Sequence, residues 1–412
     1  MIFQRLAQSE LDTLRTNRLG LLLLGPRQTG KSTLIQNFLS KETVPNLTFR
    51  LQETKTFEEI AKRPSIIFEA TLAKLETGPL HLFIDEVQLV PELLNDCQSL
   101  IDQHADRLRV FLTGSSARKL RRSGTNLLPG RVLLKHLHPM TLPEFSKKNE
   151  SRICPWVTHP SPLRPVSPFS YSLEEMMIWG TLPGVMQLEP ASRTSLLHSY
   201  VSTYLQEEIR QEALTRRLGP FSRFLELAAM ESGTAPNLSK LSQEAGIPLA
   251  TLINYFQILE DTLIILRIPA FGAHGRKRVL TTPRYLFFDL GVRNACAGLS
   301  LHEGLLKIQA GTLFEQAVIL DLIRRIDYLH AGEWKYYFWR TTYGAEVDLV
   351  INTGEELIPL EIKYSTVPRD ADIAHLKTFM KTYGAKRGFL IGRFSRAQKM
   401  TDQITAIPWQ EV

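Results

Sequence analysis

Eight residues, Gly25 to Ser32, read GPRQTGKS and keep the spacing GxxxxGKS. Each fixed position has a physical task. Gly25 and Gly30 lack a Cβ, so the backbone there can curl until successive amides point at one anion. Lys31 reaches the outer phosphate oxygens, and the Ser32 hydroxyl suits a hard cation such as Mg2+. The stretch Gly25, Pro26, Arg27, Gln28, Thr29, Gly30, Lys31, Ser32 and Thr33 is therefore expected to cradle the phosphates of ATP together with Mg2+. Partner acids follow in HLFIDEVQLVP, where an apolar run ends in Asp85 and Glu86. Asp85 would bind Mg2+ through water. Glu86 would orient and deprotonate the attacking water, because phosphoryl transfer depends mainly on positioning and charge. RVFLTGSS then ends in Thr113, Ser115 and Ser116, of which Thr113 is favoured as the group that senses the γ-phosphate.

A second set lies near the other end. PLEIKYS, residues 359 to 365, puts Glu361 and Lys363 on one face of a strand with Leu360 and Ile362 on the other. The same spacing also describes an ordinary amphipathic edge strand. In AEVDLVINTGEELIPLEIKYS two runs of strand-forming residues flank a Gly-containing turn, Asn352 to Glu356. This should fold as a hairpin, with Asp348 on the strand beside Glu361 and Lys363. Glu315 sits among Leu313, Phe314, Val318 and Ile319 in GTLFEQAVILDLI, an acid that needs a partner in such company.

These residues need elements to hold them. LGLLLLGPRQTGKSTLIQNFL reads as a buried strand, a glycine loop and an amphipathic helix. Strands that bring Asp85 and Thr113 to one carboxyl edge imply a parallel α/β sheet. Residues 155 to 168 carry five prolines and read as an extended loop. The helical patterns SLEEMMIWG and RTSLLHSYVSTYLQEEIRQEAL are expected to form a lid. NLSKLSQEAGIPLATLINYFQILED has the layout of a helix-turn-helix, broken at Gly246 to Pro248, with room for a hairpin wing after it. Its second helix offers only Thr251, Asn254 and Gln257 to base edges, with no basic residue before Arg267. Packing against neighbours and phosphate contact through Arg276, Lys277 and Arg278 are the two roles open to it.

At the strand tips the chain resembles the AAA-type branch of P-loop ATPases. LPGRVLLKHLHPMTLPEF, with Gly130, Arg131, Pro139, Glu144 and Phe145, and the later WGTLPGV look like a large bacterial and archaeal ATPase family of unknown function. By that similarity Arg131 is the candidate for the arginine that compensates transition-state charge. A structural or DNA-facing cation is the other reading, since Arg118, Arg121 and Arg122 lie nearby. The order Glu, Asp, Glu-x-Lys resembles the PD-(D/E)XK nuclease superfamily with its αβββαβ core, here with Val347 in place of the Pro. The resemblance implies that Asp348 and Glu361 hold Mg2+, Glu315 completes the site and Lys363 orients or deprotonates water. It implies phosphodiester hydrolysis, or a fold kept as a DNA-binding scaffold. The expected division is an ATPase domain over 1–150, the Pro-rich loop and helical lid over 151–232, a winged helix-turn-helix over 233–284 and a restriction-endonuclease-like α/β domain over 285–412.

Bulk properties agree with several domains: 412 residues, 43% of them hydrophobic, exceed one ordinary core. The net charge is +7, and residues 107 to 152 hold eleven Lys or Arg against two Asp or Glu, while residues 301 to 412 hold fourteen of each. A basic surface in the front half fits a polyanion, DNA first among them. Cys97, Cys154 and Cys296 match no metal or redox spacing, so neither zinc nor disulfides are expected. The apolar run Leu21 to Leu24 is too short to cross a bilayer and the start lacks signal-peptide order, so the reading is cytoplasmic, without a membrane partner and with a homo-oligomer left open.

Overall fold

The computed structural model describes residues 3–14, 19–115, 127–145, 171–205, 218–272, 282–330 and 332–412. Ser116, Arg118, Arg121, Arg122, Cys154, the proline-rich stretch and Arg276 to Arg278 lie outside the described residues. The chain forms two compact units, one of residues 1–139 with 257–264 and the other of 140–256 with 265–412.

In the first unit the leucine run becomes β1 (Gly20–Leu24), followed by β2 (Asn46–Arg50), β3 (Leu80–Asp85), β4 (Leu108–Gly114) and β5 (Val132–His136). All pair in parallel, in the order β2-β3-β4-β1-β5. Every residue of β1 and β3 is buried, the pattern of a parallel sheet covered on both faces. Leu22, Leu82, Ile84, Val110 and Leu112 share a core with Leu93, Leu94, Cys97 and Leu100 of the helix Leu93–His104. Burial pushes the Cys97 thiol up to about 12, so it behaves as a small hydrophobe, as its spacing implied. Helix α1 (Lys31–Leu39) begins directly at Gly30, whose φ of 94° is left-handed. Parallel pairing has one consequence for chemistry. It brings the ends of β1, β3 and β4 to a single edge, where their following loops meet.

The second unit joins helices to a six-stranded sheet. Helix α2 (Leu238–Ala245) and helix α3 (Leu249–Asp261), whose residues from Gln257 onward count with the first unit, are separated by a turn at Gly246, which takes φ 66°. Asn237 starts α2 by accepting the Lys240 N–H at 3.1 Å. Strands β6 (Ile265–Ile268) and β7 (Arg284–Phe287) then pair antiparallel. Helix α4 (Leu290–Cys296) precedes the long α5 (Leu306–His330), which leads into β8 (Lys335–Arg340), β9 (Glu346–Asn352) and β10 (Leu357–Lys363). These three form an antiparallel meander; α6 (Ala374–Tyr383) crosses to β11 (Gly388–Gly392), which runs parallel to β10. Strands β12 (Gln398–Lys399) and β13 (Ile404–Pro408) complete the order β12-β13-β11-β10-β9-β8. Trp339, Val350, Leu376, Phe379 and Leu390 fill a core between α6 and the sheet. Residues 140–145 group with this unit rather than with the first sheet, because the Leu142 N–H donates to Asp321 of α5 at 2.7 Å and the Met140 N–H to the Thr181 carbonyl at 2.9 Å. Among the described residues no helix is long and apolar enough to cross a membrane.

Candidate functional site

At the carboxyl edge of the first sheet the loop after β1 wraps under a buried ammonium. Lys31 Nζ donates to the carbonyls of Gly25 (2.8 Å) and Pro26 (3.1 Å) and stands 3.8 Å from Glu86 Oε1. A side chain at Gly25 would meet the Leu137 carbonyl at 2.3 Å, so the chain can pass there only as glycine. Ser32 Oγ donates to Asp85 Oδ1 at 2.7 Å, and Thr113 Oγ1 donates to the same oxygen at 2.5 Å. Thr113 in turn accepts the Glu86 N–H at 2.9 Å, which fixes the kink where Glu86 takes a left-handed φ of 60°. Hydroxyl, two carboxylates, ammonium and Thr113 thus form one connected group, and Lys31, Asp85, Glu86 and Thr113 are all buried. The pair Ser32 and Asp85 is an all-oxygen set of the kind Mg2+ takes beside phosphate.

Two supports here have no sequence signature. Arg5 is 6% exposed and donates to the Thr29 carbonyl (2.7 Å) and the His138 carbonyl (2.6 Å), clamping the loop from outside. Gln88 hydrogen-bonds Glu86 Oε2 and donates to Ser115 Oγ at 2.9 Å, holding the acid in its orientation. Of the two readings open for Arg131, the structural one describes its place in this chain. Arg131 precedes β5, and its carbonyl accepts the N–H of Gly20 at the start of β1. It therefore lies at the amino edge of the sheet, about 16 Å of strand away from the loop. Its guanidinium is engaged by Asp102 at 2.6 and 2.8 Å, so within its own chain it does not serve the phosphate edge.

The second group lies in the other unit. Leu360 pairs with Leu349, so Glu361 and Asp348 occupy the next facing positions of the hairpin. The Ile362 N–H donates to Asp348 Oδ2 at 2.8 Å, and Lys363 Nζ donates to Glu361 Oε1 at 2.6 Å. Glu361 is 4% exposed, and its Oε2 has no hydrogen-bond partner among the described residues. Burial first and the Asp348 charge second push its carboxyl up to about 8, against the opposing pull of Lys363. Burial opposes the Lys363 ammonium, yet Asp348 and Glu361 outweigh it and hold it above its usual range. Asp348 with the free oxygen of Glu361 is a donor set that fits one divalent cation completed by water.

Glu315 departs from expectation. Its carboxylate is taken by Arg284 of β7, Nη1 to Oε1 at 3.2 Å. The same Nη1 reaches the Asp348 carbonyl at 3.4 Å, and Nη2 pairs with Glu346, which also faces Arg340 Nε at 3.4 Å. Among the described residues no three His, Cys, Asp or Glu side chains stand close enough to enclose a metal ion, so the three-acid cage is not assembled as it stands. Glu315 is paired with Arg284 and Glu361 with Lys363, while the Asp348 carboxylate accepts a strand N–H. Arg284 and Glu346 were not legible in the sequence, since one comes from a strand outside the hairpin and the other reads as a surface acid.

Because Glu361 holds its proton more tightly folded than unfolded, the stability this proton confers is complete below about 4.5 and is lost as pH rises through about 8. Glu361→Gln stays neutral throughout. In buffer with a metal chelator it is expected to gain on the wild type by about 4 kcal/mol between pH 5 and pH 9. Urea denaturation at both pH values checks this, and an equal difference at the two would refute the buried-acid assignment.

Comparison with known proteins matches the chain in three stretches. Residues 17–146 match the family model for an AAA domain, while residues 170–303 and 310–412 match two domains of unknown function, DUF8612 and DUF4143. An uncharacterized protein of Mycobacterium tuberculosis is 24% identical over 351 residues, 84% of this chain and 70% of the relative. One from Haemophilus influenzae is 20% identical over 378 residues, 86% of each. A Walker-type ATPase of Pyrococcus abyssi aligns over 72% of this chain and 96% of its own, with 16% identity and a TM-score of 0.47. Taken with the parallel strand order and the loop geometry, the match over residues 17–146 identifies an AAA-type P-loop ATPase-like domain.

Proposed function

We propose that the chain binds and hydrolyses ATP with Mg2+ in its first unit and that its second unit is a PD-(D/E)XK nuclease-like module acting on DNA. The observation that carries the first half is the connected group of Lys31, Ser32, Asp85, Glu86 and Thr113 at one strand edge. Lys31 neutralises β and γ oxygens, the loop from Gly25 to Thr33 supplies backbone amides from Arg27, Gln28, Thr29 and Gly30 onward, and Thr113 links the acids to the γ-phosphate. Ser32 and Asp85 would hold Mg2+, which supplies charge neutralisation on the phosphates when bound. Glu86 accepts the proton of the attacking water.

For the second half, the order helix, three strands, helix, strand and the facing pair Asp348 and Glu361 with Lys363 support the reading. Asp348 and Glu361 would hold the metal, whose role is to polarise a phosphodiester. Helices α2 and α3 with the β6–β7 hairpin support a winged helix-turn-helix. Leu249 and Ile253 stand 40% and 49% exposed on α3. An apolar outer face favours contact with a protein or a neighbouring element over base readout. The engagement of Glu315 by Arg284 favours the second reading, a nucleotide-dependent regulator whose nuclease-like module binds without cutting.

Glu86→Gln tests the first half. It keeps the shape of the site and the Gln88 contact but cannot accept a proton. Turnover is expected to fall about a hundredfold or more while ATP affinity measured with a fluorescent analogue stays within about twofold. Full turnover in this variant would remove Glu86 as the base.

A further inference from the structure

We propose that Arg284 is a built-in lock on the acid group of the second unit: its guanidinium holds Glu315 and keeps it from joining Asp348 and Glu361 as a third oxygen donor to a divalent cation. The inference rests on the reading of Asp348 and Glu361 as metal ligands and adds the regulation of that site. Arg284 comes from β7, outside the helix and hairpin that supply the acids. It is 6% exposed, lies over the Phe338 ring at 4.9 Å, and is bound to Glu315, Glu346 and the Asp348 carbonyl. A buried guanidinium stays only where its donors are used, and here they are. The remaining oxygens are unequal. Glu361 Oε2 is buried beside Asp348 without a partner among the described residues, whereas the Glu315 charge is spent on Arg284.

A dication arriving beside Asp348 would meet the Arg284 charge, which reaches the Asp348 carbonyl, and be repelled by it. Glu346 makes release inexpensive. It already pairs with Arg284, so the guanidinium keeps one carboxylate partner when its 3.2 Å contact with Glu315 is released. The ion pair therefore weakens cation binding until Arg284 is drawn aside.

Mn2+ titration of the full chain without nucleotide, followed by the loss of free-ion EPR signal, tests this. Arg284→Met is expected to bind Mn2+ about tenfold more tightly than wild type, and adding Glu315→Gln to it should remove the gain. Folding is checked by thermal melting. Should Arg284→Met fail to fold, Arg284→Lys is read in its place. Lysine has one ammonium, which cannot span Glu315 and Glu346 together, so several-fold tightening is expected. Wild-type affinity in a folded variant overturns the lock. Asp348→Asn separates the two claims: if it abolishes Mn2+ binding while Arg284 variants show no gain, the lock alone fails. If it leaves Mn2+ binding intact, the metal reading fails first.

Discussion

Replacing Lys31 with Ala is expected to reduce ATP hydrolysis about a thousandfold, to the background of the assay. The ammonium is 4% exposed, so it acts in a site with little water to screen it, where one charge aimed at a transferring phosphoryl group counts most. Its loss also strands acceptors, because the Gly25 and Pro26 carbonyls and Glu86 all face it. ATP affinity should therefore weaken along with turnover, which sets this variant apart from Glu86→Gln, where binding survives. A coupled phosphate-release assay on purified protein reads the first effect, and equilibrium binding of a fluorescent ATP analogue reads the second. Turnover within tenfold of wild type would mean that the loop after β1 does not hold the reacting phosphates.

On the proposed nuclease reading, Asp348→Ala is expected to eliminate Mg2+- or Mn2+-dependent cutting of DNA and leave ATP hydrolysis unchanged. The carboxylate carries two duties, since one oxygen accepts the Ile362 N–H while the group faces Glu361 across the hairpin. Alanine therefore leaves a strand amide unpaired and costs about 1–3 kcal/mol. Asp348→Asn keeps an oxygen for that amide and removes only the charge. If both variants stop cutting and only the alanine variant melts earlier, the lost activity belongs to the charge. Gel assays on single- and double-stranded DNA, with and without ATP, measure it; wild-type protein that cuts none of these substrates would leave the non-cleaving regulator as the working description.

Much of the first site was legible because each part is local in sequence. A glycine loop between a leucine run and an amphipathic helix specifies its own backbone. Two apolar runs that end in Asp85 and Thr113 read as buried parallel strands, whose tips reach the same edge of the sheet. The hairpin carrying Asp348, Glu361 and Lys363 was legible for the same reason, since two-residue periodicity and one turn fix which side chains face each other.

What the chain order does not encode is which cation answers which acid. Arg131 could be read as a transition-state arginine or as a structural cation, and strand direction puts it at the amino edge, with Asp102 as its partner. Arg5 reaches the loop at Thr29 from 24 positions earlier, and Arg284 reaches Glu315 from 31 positions away. Such pairings are set by long-range packing, where any basic residue on any surface is an equal candidate until the backbone is placed. By itself the sequence determined the nucleotide loop, the strand acids and the acidic hairpin, because local periodicity and backbone sterics suffice for those. Only the tertiary structure decided that Glu315 is held by Arg284 and that Arg131 stands away from the phosphates, because electrostatic partners are chosen by distance in space.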